Sequence, residues 1–125
     1  EEDASALAAT VVAASQGAAT ATGPTSLAEL AAILKEAALL VSGDTGPFHI
    51  GAALGTPIVG LYGPTDPARN GPWAADDLTV SRFAECRCQR VRQCQTEQWC
   101  LDDISVDAVA SAAAARLAAT GRDEQ

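Results

Sequence analysis

Two short apolar runs, each stopped by glycine at its carboxyl end, leave this chain few folds to choose from. Leu39-Leu40-Val41-Ser42 leads into Gly43-Asp44-Thr45-Gly46-Pro47, and Ile58-Val59-Gly60-Leu61-Tyr62 leads into Gly63-Pro64-Thr65-Asp66-Pro67. Between them Pro47 to Leu54 is apolar but for His49, and Gly55-Thr56-Pro57 closes it. Short continuous apolar runs read as strands covered on both faces. A segment opened by proline reads as a helix, because the first helical position has no amide bond to lose. Strand, helix and strand so close together make a βαβ unit, and its strands are parallel. Ligands of such sheets gather beyond the carboxyl ends of the strands. The loops 43–46 and 63–66 are therefore expected on one edge.

The flanking sequence extends the same pattern. Glu2 to Ser15 reads as a helix with Leu7, Val11 and Val12 on one face and Gly17 beyond its end. Ala19 to Thr22 is a short β-like stretch, and Gly23-Pro24 a turn. Ser26 and Glu29 form a capping box that opens a helix to about Glu36, with Leu27, Leu30, Ile33 and Leu34 facing inward. Leu78 to Ser81 is a third strand. Ser105 caps a last helix whose apolar face is Val106, Val109, Ala113 and Leu117. Trp73 and Trp99 are expected to pack inside. The sum is an α/β domain: a Rossmann-like parallel sheet with helices on both faces, over residues 1–120, then a frayed tail from Gly121.

Composition narrows the partners. A chain of 125 residues is one domain at most, and 48% hydrophobic residues can supply its core. The net charge of −8 repels a nucleic-acid backbone, so DNA and RNA are not expected partners. An anion must be held locally, by backbone amides and a helix N-terminus. No apolar run approaches the roughly 20 residues that span a bilayer. Glu1, Glu2 and Asp3 carry the wrong charge for a signal peptide, and the first residue is not Met. The expectation is a piece of a longer cytoplasmic protein. Cys86, Cys88, Cys94 and Cys100 are then reduced thiols by default, with zinc ligation and disulfides as alternatives. Arg82, Arg87, Arg90 and Arg92 cluster beside them. They form either a solvated loop or a patch facing phosphates of a partner molecule or an anionic membrane, at which the protein would be peripheral.

The first loop carries the candidate chemistry. The helix after it offers amides from Gly46, Phe48 and His49, Gly46 permits close approach, and Thr45 adds a hydroxyl. His49 lies in the first turn and can face the same anion. Asp44 repels a phosphate and is expected to accept from loop amides or a sugar hydroxyl. Turn and cap chemistry alone accounts for Asp, Thr and Gly equally well. The apolar helix favours a ligand, since a buried N-terminus needs partners for its amides. No metal ligand set is read here, and no cofactor is called for.

Three stretches together resemble the heptosyltransferases of glycosyltransferase family nine: Val41-Ser42-Gly43-Asp44-Thr45-Gly46-Pro47-Phe48-His49, Ala52-Ala53-Leu54-Gly55-Thr56-Pro57, and Leu61-Tyr62-Gly63-Pro64-Thr65-Asp66-Pro67. The likeness extends to Thr25-Ser26-Leu27, Gly71-Pro72, the Cys loop and Ile104-Ser105-Val106. It implies the C-terminal, donor-binding half of a GT-B enzyme that transfers heptose, with inversion, from ADP-heptose to the lipopolysaccharide inner core. Asp44, Thr45, Gly46 and His49 would meet the donor diphosphate and its sugar, and Thr25 and Ser26 the adenine. His49 would stabilise the leaving group. The base and the acceptor pocket would belong to an N-terminal half, so this chain alone would be inactive, and the inner face of the inner membrane would be the place of action. Alternatives are a family-nine transferase using another sugar nucleotide, a non-catalytic nucleotide-binding module, and a zinc-stabilised interaction domain.

Overall fold

The computed structural model describes residues 2–89, 97 and 99–123. The elements run α1 (Glu2–Ala14), α2 (Leu27–Glu36), β1 (Leu40–Gly43), α3 (Gly46–Leu54), β2 (Ile58–Tyr62), α4 (Pro67–Asn70), β3 (Leu78–Ser81) and α5 (Val106–Asp123), with 3-10 turns at Phe83–Glu85 and Cys100–Asp103. The three strands form one parallel sheet in the order β1-β2-β3. The α/β reading holds, and with it the βαβ unit. The extended stretch at Ala19 to Thr22 is not a strand, and α5 continues through Gly121 to Asp123.

Register decides which side chains meet. Leu40 pairs with Ile58, and Val59 with Leu78. Paired residues of parallel strands share a face and alternate along each strand. Leu40, Ile58, Gly60 and Tyr62 thus face α3. There Phe48, Ile58 and Tyr62 form a fully buried cluster, with Leu40 and Ala52 packed on it. Two glycines permit this contact. A Cβ at Gly51 would lie 2.7 Å from Leu40 Cδ2, and one at Gly60 would lie 2.7 Å from the Tyr62 ring and 3.1 Å from that of Phe48. Those rings meet edge to face at 6.0 Å, a favoured aromatic geometry.

The opposite face carries Val59, Leu61, Leu78 and Val80 and is covered by α5, which contacts β2 and β3. Arg116, a polar residue in an apolar stripe, is buried there. Its Nε donates to Asp77 Oδ1 at 2.9 Å, and the same oxygen accepts from the Ile58 amide at 2.9 Å. The pair therefore ties α5 to the amino-terminal edge of the sheet. At that edge the buried Thr56 hydroxyl also donates to Leu34 O at 2.7 Å, holding α2 against the α3–β2 loop.

Several expected core residues lie outside. Leu7, Val11, Leu27, Ile33, Val106 and Leu117 are exposed, as are Trp73 and Trp99. Helical periodicity finds a stripe, but only a neighbouring element can cover it, and α1 has little to pack on among the described residues. Val41 was expected in a strand buried on both faces, yet it is 42% exposed on the α5 side of β1, the sheet edge. The Ser26–Glu29 capping box is present in both directions, at 3.2 and 2.7 Å. Ser105 accepts from the Ala108 amide at the start of α5.

Candidate functional site

The carboxyl ends of β1, β2 and β3 bring the two expected loops to one edge. Gly43 pairs with Leu61, so Asp44 follows at the level of Tyr62, which in turn pairs with Ser81. The loop after β2 is shaped by Asp66, whose carboxylate accepts from the Ala68 amide at 2.9 Å. Pro67 then opens α4 with a preset φ. This short helix was not expected from sequence, and it carries Asn70 back over the first loop.

Asp44 is the hub. Its Oδ1 lies 2.7 Å from His49 Nε2, and its Oδ2 accepts from Asn70 Nδ2 at 3.0 Å. Tyr62 OH donates to Asn70 O at 3.3 Å from below. The Asp44 side chain is 15% exposed and that of His49 45%. Burial, and secondly the charge of Asp44, push the Tyr62 hydroxyl up to about 12. Asp44 was expected to accept from loop amides or a sugar hydroxyl; within the chain it accepts from two side chains, one on α3 and one on α4.

The start of α3 departs from expectation in two ways. The His49 amide is not free, because it donates to Thr45 O at 3.3 Å. Thr45, Gly46 and Pro47 are exposed, so the expectation of a buried N-terminus holds only in part: water can reach the Gly46 amide, whereas Phe48 is fully buried. Among the described residues, the Gly46 and Phe48 amides have no backbone acceptor. Thr45 makes no side-chain cap, and its hydroxyl lies 3.3 Å from Ser42 Oγ. Asp44, Thr45, Gly46 and His49 are thus grouped around one helix terminus. Thr25 and Ser26 are not joined to them by any hydrogen bond, and Ser26 Oγ accepts from Glu29 in the α2 cap.

The cysteine loop lies beyond β3. Cys88 is in a disulfide, which corrects the expectation of four reduced thiols. Cys86 and Cys100 are free, with sulfurs 3.1 Å apart. Burial first, and contact with Cys86 second, push the Cys100 thiol up from its ordinary range. The Cys100–Leu101 turn packs on Gly63, where a Cβ would lie 2.8 Å from Cys100 Sγ. Arg82 follows β3, its amide donating to Tyr62 O at 2.8 Å, and Arg87 is exposed. Cys94, Arg90 and Arg92 lie outside the described residues, and among those described no group of three His, Cys, Asp or Glu could hold a metal ion. Likewise, no described helix is long and apolar enough to cross a membrane.

An acidic α/β domain that gathers a glycine, a hydroxyl and an imidazole at a helix N-terminus, on the carboxyl edge of a parallel sheet, defines a class: parallel α/β domains with a polar loop where such sheets bind ligands. The sequence profile of Glycosyltransferase family 9 (heptosyltransferase) matches residues 1–100, and the chain belongs to that family. It is 40% identical over 63 residues to the lipopolysaccharide core heptosyltransferase OpsX of Haemophilus influenzae, covering 50% of this chain and 18% of that protein. It is 35% identical over 71 residues to lipooligosaccharide heptosyltransferase 2 of the same organism, covering 57% and 20%. With lipopolysaccharide heptosyltransferase 1 of Salmonella typhimurium it shares 45% identity over 53 residues, covering 42% and 17%. The chain thus spans about a fifth of the length of these curated relatives. No solved structure matches it.

Proposed function

We propose that this chain is the donor-binding part of a GT-B glycosyltransferase that moves heptose, with inversion, from ADP-heptose to the lipopolysaccharide inner core. The observation that carries the reading is Gly46. Gly55 and Gly71 have positive φ, and Gly51, Gly60 and Gly63 sit where a Cβ would collide. Gly46 has neither reason: its φ is not positive, and nothing lies within 4 Å of where its Cβ would stand. A glycine that its own fold does not require, exposed at a helix N-terminus with an unbonded amide, leaves room for a ligand to reach the backbone.

Thr45, Gly46 and His49 surround that position, and the diphosphate of the donor is the anion proposed for it. Breaking the glycosidic bond adds negative charge to the diphosphate. Preorganised amides, a hydroxyl and an imidazole stabilise that charge without a metal. The base that activates the acceptor hydroxyl belongs to the rest of the protein, as does the acceptor pocket, so the chain alone binds donor without turning it over. Thr25 and Ser26, ahead of α2, are assigned to the adenine. The protein acts in the cytoplasm, at the membrane face where its acceptor is presented.

Calorimetric titration of the full-length protein with ADP and ADP-heptose, with and without magnesium, tests the reading. Binding of both without a divalent ion is expected. Absence of binding, or absolute dependence on the metal, overturns the site as described.

A further inference from the structure

Asp44, in the loop after β1, and Asn70, at the end of α4, are far apart in sequence, yet they share a hydrogen bond, and its consequence runs through His49. A carboxylate only accepts, so both nitrogens that touch Asp44 are donors. His49 Nε2 therefore bears a proton, and in the neutral ring the lone pair is on Nδ1. A phosphate oxygen is also an acceptor. It can meet Nδ1 only if the ring takes a second proton, with Asp44 then facing the imidazolium as its counter-charge. Asp44 thereby sets which nitrogen is left for a ligand and where the ring points.

What holds Asp44 is Asn70. A carboxylate bonded through one oxygen can rotate about its last torsion. Here Oδ1 takes the imidazole and Oδ2 the Asn70 amide, at 2.7 and 3.0 Å, so the plane is pinned at both ends. The Asn70 backbone is itself anchored. The Asn70 N–H donates to Asp66 O at 2.9 Å, and Asn70 O accepts from the hydroxyl of the fully buried Tyr62 at 3.3 Å. These anchors hold the main chain, so removing the Asn70 side chain deletes the bond to Asp44 and leaves α4 in place. With that bond gone, the carboxylate can turn, and the half-exposed imidazole bonded to it loses its fixed direction.

We infer that Asn70 is a positioning residue: through Asp44 it fixes the tautomer and direction of the His49 imidazole. The inference rests on the proposed donor site for its purpose, but not for its geometry. It differs from a loop tie because the signal that must change sits on His49, and no hydrogen bond joins Asn70 to His49.

The test uses the whole chain, in which His49 is the only histidine, so its imidazole nitrogens give one unambiguous set of NMR signals. Asn70→Ala is expected to shift those signals away from their wild-type values, towards those of a mobile side chain, and Asn70→Gln, which keeps an amide, to restore them in part. Should Asn70→Ala fail to fold, Asn70→Ser, which is too short to reach Asp44, carries the same expectation. ADP titration supplies the second readout. Asn70→Ala and His49→Ala each weaken ADP by about tenfold, and the double variant is no weaker than His49→Ala, because Asn70 acts only through that ring. Unmoved imidazole signals in a folded Asn70→Ala, or losses that add in the double variant, overturn the inference. If the wild-type chain and the full-length protein both ignore ADP, the donor reading fails, and the imidazole signals alone then decide for or against the positioning role.

Discussion

Alanine at position 46 separates a structural glycine from a ligand-facing one. The backbone there is helical, without positive φ, and beyond its chain neighbours and its own helix backbone no atom lies within 4 Å of the new Cβ. Nothing in the fold resists the change. Replacing glycine by alanine at a compatible position restricts the unfolded chain and stabilises by about 0.4–1 kcal/mol. Gly46→Ala is therefore expected to melt at or above the wild-type temperature. The methyl group also takes up open space beside the amide that the diphosphate is proposed to use. Loss of one hydrogen bond to a charged group costs about 1.5–3 kcal/mol, which is roughly a 10- to 100-fold fall in affinity. A melting curve and an ADP titration on the same preparation give both numbers. A variant that binds ADP as tightly as wild type refutes the assignment of this amide to the anion. A variant that melts several degrees lower refutes the claim that the fold does not need this glycine.

Three further outcomes follow from the geometry. Tyr62 is the chain's only tyrosine, so absorbance on alkaline titration reports it alone, and its midpoint should fall near 12. The folded state holds this proton after the unfolded chain, at about pH 10, has released it, so the contribution to stability is complete below pH 10 and is lost as pH rises through about 12. Asp44→Asn should lower the midpoint, with burial keeping most of the shift. Arg116→Ala leaves the Asp77 carboxylate buried and half-satisfied, and should cost about 3–5 kcal/mol in chemical denaturation while ADP affinity stays unchanged, because the pair sits at the opposite edge of the sheet. Cys100, with its thiol pushed up by burial and by Cys86, should alkylate more slowly at mildly alkaline pH than a free thiol and speed up only above the ordinary thiol range. Alkylation as fast as a model thiol would contradict that.

Local patterns were legible wherever the physics is local. The two strands, the helix between them, the third strand and the Ser26–Glu29 cap need only near neighbours, and all appear within a residue or so of where periodicity and capping rules put them. The grouping of Asp44, Thr45, Gly46 and His49 was likewise readable, because strand, turn and helix follow in direct succession. What periodicity could not say is which stripes are covered. Leu27 and Ile33 have the right spacing and stay exposed, while Arg116, charged and out of pattern, is buried because Asp77 meets it. Nor could it give the α4 turn, the disulfide at Cys88 or the bond from Asn70 to Asp44. The sequence alone determined a parallel α/β unit with a Gly-Asp-Thr-Gly loop at the carboxyl end of its first strand, since helix and strand periods and turn residues act over a few positions. Only the tertiary structure decided how Asp44 is used, because its partner Asn70 arrives on the short helix that follows another strand, and nothing in linear spacing records which connections a sheet brings side by side.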